Sequence, residues 1–137
     1  MRLWHYKILP YLPDLQILSQ KRECDLIWKD IENGKQTNHI LINYIWSYPN
    51  YVDRLASYYD ILRVEFEARG FKFNSHYTKQ FRKHPNPFQN HHNLRYLAQN
   101  FYNLAEKYDR GQKDFSIKRY ETLEHFVIRE GVKLWLN

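Results

Sequence analysis

A chain of 137 residues suits one domain built on one core. Its single cysteine, Cys24, excludes an internal disulfide framework and suits a reducing compartment, and four glycines leave no room for a glycine-rich phosphate loop. The formal charge is +6, no apolar run approaches the roughly 20 residues that cross a bilayer, and the first residues lack the apolar stretch of a signal peptide, so the expectation is a cytoplasmic protein with no membrane partner.

In chain order, Pro10 and Pro13 delay the first helix, and Pro13-Asp14 suits its start. The periodicity predicts a helix over Asp14–Glu32 that ends at Asn33-Gly34, with Leu15, Leu18, Arg22 and Leu26 on one core-facing stripe. Asn38 is expected to cap a short helix over 40–46 that stops before Pro49. A longer helix over 50–69 repeats Val52, Leu55, Tyr59, Leu62 and Phe66 at spacings of three and four, with Gly70 as its C-terminal stop. A short helix is expected over 75–82, then a loop at His84-Pro85-Asn86-Pro87. The next helix covers 90–109, aligning Leu97, Phe101, Leu104 and Tyr108 before Gly111. Ile117, Tyr120, Leu123 and Val127 mark a last helix that Gly131 ends. No period-two pattern competes beyond the short run Ile40-Leu41-Ile42, so the predicted fold is all-α: a single compact domain, 1–137, of about five or six helices.

The charge is unevenly spread. Residues 1–68 hold eight Lys/Arg against nine Asp/Glu, whereas residues 69–137 hold thirteen against six. No acidic residue lies between Glu67 and Glu106, a stretch interleaved with Phe71, Phe73, Tyr77, Phe81, Phe88 and Tyr96. Basic side chains neutralise phosphates and aromatic faces stack on exposed bases, which favours a nucleic-acid partner over a plain solvated basic face. The residues assigned to DNA contact are Arg2, His5, Lys21, Arg22, Lys72, Arg82, Lys83, His91, His92, Arg95, Lys118 and Arg119.

Metal chemistry has little support. The chain has seven histidines but neither HxxxH nor HExxH, and the adjacent His91 and His92 point in different directions on a helix. No metal or cofactor is therefore expected. Glu65 and Glu67 face apart, no Ser/His/Asp or Cys/His arrangement stands out, and Cys24 reads as a small buried residue. Two features remain. An α-amine titrates at roughly 7.7–8.0, so a chain terminus can act as a nucleophile. Arg22-Glu23 on the first helix is either an interhelical salt bridge or a functional pair, since a carboxylate beside an amine can steer proton transfers and steady a cation.

The chain resembles the pyrimidine-dimer DNA glycosylase family, the phage endonuclease V type, and is most similar to its short bacterial members. The resemblance rests on Met1-Arg2-Leu3-Trp4-His5 with Leu9-Pro10-Tyr11-Leu12-Pro13, on Arg22-Glu23-Cys24, on Asn38-His39-Ile40-Leu41, and on the helix over 51–70 followed by Phe71-Lys72-Phe73. His91-His92-Asn93-Leu94-Arg95-Tyr96-Leu97 and Asn103-Leu104-Ala105-Glu106-Lys107-Tyr108 extend it over most of the chain. It implies a DNA-repair glycosylase with AP lyase activity on double-stranded, damaged DNA. The amino-terminal amine would form an imine at sugar C1′, a residue matching Glu23 would assist, and arginines matching Arg2 and Arg22 would hold phosphates. Removal of a start methionine requires a small second residue, so with Arg2 next in line Met1 itself would carry the amine. Trp135 stands where the family uses tail aromatics near the duplex, or else packs on the core. A non-catalytic nucleic-acid-binding module that keeps the fold, and a metal-dependent nuclease built on the histidine loop, are the competing readings.

Overall fold

A computed structural model describes residues 1–134, and Trp135 lies outside the described residues. Among them the elements are a 3-10 turn at Leu9–Tyr11, helix α1 (Asp14–Glu32), a second 3-10 turn at Asn43–Ser47, and helices α2 (Tyr51–Ala68), α3 (Leu94–Asp109) and α4 (Ile117–Arg129). The all-α expectation holds, with four helices where five or six were expected. α1 packs on α2 and α3 on α4, while the turn at Leu9–Tyr11 touches both α2 and α4 and so joins the two pairs.

The helix ends follow local chemistry. Asn93 Oδ1 accepts the Tyr96 N–H and Ser116 Oγ accepts the Arg119 N–H, each satisfying an otherwise unpaired first-turn donor. α1 is preceded by Pro13, whose side chain has no acceptor to offer. Its Leu15 N–H instead donates to Asp114 Oδ2 at 2.9 Å, a cap supplied from the loop between α3 and α4.

Two expected helices are absent. Residues 75–82 are irregular because their groups are engaged elsewhere: the Tyr77 ring stacks on Trp28 at 4.2 Å, the His76 N–H donates to the Tyr59 hydroxyl, and the Arg82 N–H to Asp53. Asn38 caps no helix, and the turn at Asn43–Ser47 covers only the last part of the segment expected there. α3 starts at Leu94 rather than near residue 90, because Asn90 takes a left-handed φ of 82°.

The orientation of α1 also differs from expectation. Leu15 and Leu26 are 49% and 54% exposed, Leu18 and Arg22 share that outer face, and the buried positions are Gln16, Ile17, Gln20, Cys24, Ile27 and Trp28. Two glutamines interrupt the buried stripe, so the leucines of the solvent face mimic a core stripe in the sequence. Gln16 resolves its burial through paired hydrogen bonds with Gln112, at 3.0 and 2.8 Å. Gln20 does so at the amino terminus.

Candidate active site

Residues 2–7 form a segment with no helix or strand of its own that enters a turn at Tyr6, so most of its backbone groups depend on side chains or water. Side chains from three helices serve them. Gln20 of α1 donates from Nε2 to the Arg2 carbonyl at 2.9 Å and accepts the Trp4 N–H on Oε1 at 2.6 Å. The Tyr58 hydroxyl of α2 stands 2.7 Å from the Trp4 carbonyl and 2.8 Å from Gln20 Oε1. From α3, Tyr96 donates to the Leu3 carbonyl and Asn100 Oδ1 accepts the His5 N–H at 2.7 Å. The Tyr6 N–H reaches His92 Nδ1 at 3.3 Å, and the Lys7 N–H folds back on His5 Nδ1 at 3.1 Å. Gln20 and Asn100 are fully buried, each in a position that an apolar residue would fill more cheaply without these partners. The segment from Arg2 to Tyr6 is therefore held in one place by the core.

Glu23 lies one turn beyond Gln20 on α1, half-buried, and its Oε2 accepts from the same Gln20 Nε2 at 3.1 Å. One amide nitrogen thus holds both the Arg2 carbonyl and the Glu23 carboxylate, which puts that carboxylate beside the first peptides of the chain. Met1 is 37% exposed at the edge of a cleft of about 390 Å³ that Leu26, Ile27 and Asp30 of α1 also line. The Arg2 guanidinium sits 5.6 Å from the Trp4 ring. Arg22 is exposed, and its Nη2 donates to Ser19 Oγ at 3.1 Å. Neither Arg22 nor Glu23 is half of an interhelical salt bridge among the described residues.

Burial pushes the Tyr58, Tyr96 and Tyr44 phenols upward. The Glu23 charge adds to the rise at Tyr58 and Tyr96, while Arg2 opposes it at Tyr96 and Tyr44. The three phenols stay neutral, and Tyr58 and Tyr96 donate to backbone carbonyls of the amino-terminal segment. Burial likewise lifts the Cys24 thiol far above its ordinary value, leaving it a small buried group.

The other residues assigned to DNA contact divide into two sets. Lys72, Arg82, Lys83, His91 and Arg95 are exposed, as is Lys118 at the start of α4. His5 and His92 are only 4% exposed and serve the backbone of the amino-terminal segment, so they present no ring to a ligand. Lys21 is ion-paired with Asp25 at 2.6 Å and lies over the Phe73 ring, and Arg119 holds the Leu12 carbonyl at 2.8 Å. Gln20, Tyr58, Tyr96 and Asn100 carry the site and escape sequence reasoning. Their only signal is a polar group inside an otherwise apolar helical stripe.

A family model described as pyrimidine dimer DNA glycosylase matches residues 1–79. The chain belongs to this family. No curated protein and no solved structure matches it. Membership makes it, at the family's level, a DNA glycosylase with DNA as its substrate. The matched span contains Met1, Arg2, Gln20, Arg22, Glu23 and Tyr58, and ends before the His91-His92 block. Among the described residues of this glycosylase no group of three or more His, Cys, Asp or Glu is placed to hold a metal, and no helix is long and apolar enough to cross a membrane.

Proposed function

We propose that this family member is a DNA glycosylase with AP lyase activity, using the Met1 α-amine as nucleophile and Glu23 as its carboxylate partner. The observation that carries this reading is the set of side-chain hydrogen bonds on residues 2–7, in which one Gln20 amide engages both the Arg2 carbonyl and the Glu23 carboxylate. Holding the reacting groups in advance removes orientational entropy from the barrier.

The neutral amine attacks C1′ of the damaged nucleotide with its lone pair. The N-glycosidic bond breaks, its electron pair leaves with the base, and the base takes up a proton. The nitrogen gives up one proton after its attack, and the ring oxygen takes up a proton as the C1′–O4′ bond breaks, leaving a protonated imine between the Met1 nitrogen and C1′. The Glu23 carboxylate stabilises the cationic sugar and then accepts a proton from C2′. The electrons of that bond form a C1′=C2′ enamine with the iminium nitrogen as their sink, and they then shift to a C2′=C3′ double bond as the 3′ C–O bond breaks and the phosphate leaves with its electron pair. Water hydrolyses the imine and returns the amine. Arg2 and Arg22 hold phosphates on either side of the lesion. Reaching C1′ requires a kinked duplex and an extruded nucleotide, at a cost of a few kcal/mol.

Borohydride trapping on an abasic-site duplex tests the reading. We expect a covalent protein–DNA adduct that disappears when the Met1 amine is chemically blocked. Glu23→Gln should keep duplex affinity and lose roughly 10²–10⁴-fold in turnover, the scale of a general acid–base group. An adduct that survives amine blockage would exclude Met1. Salt-sensitive binding with no nicking by the wild type would instead identify a binding module, and nicking lost to EDTA a metal-dependent nuclease.

A further inference from the structure

We propose that Gln20 is a positioning residue for this reaction, a planar amide that sets the Met1 amine and the Glu23 carboxylate relative to each other. The inference rests on the function proposed above and goes beyond it.

Gln20 is fully buried on the α1 stripe that also carries Ile17, Cys24 and Ile27. A glutamine side chain has two donor hydrogens and a carbonyl oxygen with two lone pairs. All four are engaged. Nε2 donates to the Arg2 carbonyl at 2.9 Å and to Glu23 Oε2 at 3.1 Å, while Oε1 accepts the Trp4 N–H at 2.6 Å and faces the Tyr58 hydroxyl at 2.8 Å. Three of these partners belong to the two parts of the site, and the fourth, Tyr58, also contacts the Trp4 carbonyl. The amide is rigid and planar, so the distance between the first peptides and the carboxylate is set by bonded geometry inside one group. Gln20 engages one carboxylate oxygen and leaves Glu23 Oε1 without a hydrogen-bond partner among the described residues, available to the sugar.

Chemistry also explains why this position is glutamine. Glutamate would fill the same volume but offer no donor to the Arg2 carbonyl, and would set a second carboxylate against Glu23. Two carboxylates sharing a site cannot both ionise easily, so one of their apparent pKa values rises. Methionine would keep the volume and lose all four hydrogen bonds.

The experiment compares wild type, Gln20→Met and Gln20→Glu in single-turnover borohydride trapping on an abasic-site duplex, across pH, with duplex affinity measured alongside. We expect both folded variants to bind within about threefold of wild type and to trap about 100-fold more slowly, the loss that a misplacement of about 1 Å produces. Gln20→Glu should also move the acid limb of the pH–rate profile upward, which a purely structural defect would not do. Wild-type rate and pH limb in the folded variants would overturn the role of Gln20 and leave the proposed function standing. A wild type that forms no adduct would overturn both.

A measurement on the wild type keeps the inference falsifiable even where a variant does not fold. The Gln20 side-chain amide resonances should follow a carboxyl titration that vanishes in Glu23→Gln. Resonances indifferent to that titration would overturn the coupling whatever the enzyme does.

Discussion

His5 and His92 stack with ring centroids 5.5 Å apart, and both rings accept backbone N–H groups of the amino-terminal segment. An imidazole can accept only while neutral, so their protonation state is tied to the site. Burial, then the nearby Lys7 charge, lowers His5 from its ordinary 6.5 to about 4, against a smaller upward pull from a hydrogen bond to the His92 backbone and from Glu130. Burial, then His5 and His91, lowers His92 as well. At His5 the unfolded chain therefore binds a proton near pH 6.5 that the folded chain refuses until near pH 4, and the shift at His92 has the same sign. The stabilisation is complete above the unfolded value and is lost as pH falls between these limits. For His5 it is on the order of 3 kcal/mol. Chemical denaturation at pH 7 and pH 4.5 should show this decline, and His5→Gln should flatten it. A stability that stays level across that window would mean that neither ring is held neutral. Hydrophobic periodicity cannot anticipate such residues. It registers Gln20, Asn100, His5 and His92 as polar and assigns them to the surface, whereas their burial is decided by backbone groups far away in the chain.

At the scale of elements, the legible parts were those whose ends are written locally. α2 carries its apolar repeat and ends at Gly70, whose φ of +78° suits glycine, and α4 carries its repeat from a Ser116 cap to Gly131. α1 was legible in extent but not in orientation, because Leu15, Leu18 and Leu26 advertise the wrong face. Its start depends on a partner about a hundred residues away, Asp114, which lies 2.9 Å from the Leu15 N–H. Burial pushes the Asp114 carboxyl upward, but the hydrogen bonds from Leu15 and Gln112 outweigh that and hold it below the usual carboxylate range. Its contribution is thus present above that range and is lost as pH falls through the lowered value. Asp114→Ala should cost about 1 kcal/mol, as other cap removals do, and the deficit against wild type should shrink in acid. Equilibrium urea unfolding at pH 7 and pH 3 would measure both. An equal deficit at the two pH values would mean that the carboxylate is not what caps α1.

The charge asymmetry acts on the whole molecule, and the structure sorts the cations that the sequence could only count. Arg69 is consumed by the fold: it pairs with Asp14 and Glu65, each at 2.8 Å, and reaches the Leu9 and Pro10 carbonyls, tying the end of α2 to the start of α1. Arg54 holds the Pro87 carbonyl and lies 4.8 Å from the Tyr48 ring. Lys72, Arg82, Lys83 and Arg95, by contrast, are exposed and form no ion pair among the described residues. Burying a duplex phosphate against such a group releases a condensed counterion, so each real contact adds about 0.9 to the slope of log affinity against log salt. If the second half of the chain carries the duplex, Arg82→Ala with Lys83→Ala should lower that slope by about 2 and weaken all duplexes alike, damaged or not. Lys118→Ala measures in the same way whether the start of α4 belongs to the footprint. Arg119→Ala, which loses a bond to Leu12 instead of a free cation, should lower stability and leave the slope in place. Fluorescence anisotropy across about 50–200 mM salt separates these outcomes, because a structural cation and a phosphate-binding cation weaken binding through different terms. An unchanged slope in the double variant would remove the 82–83 segment from the interface and leave Arg2, Arg22, Lys72, Arg95 and Lys118 to carry the duplex.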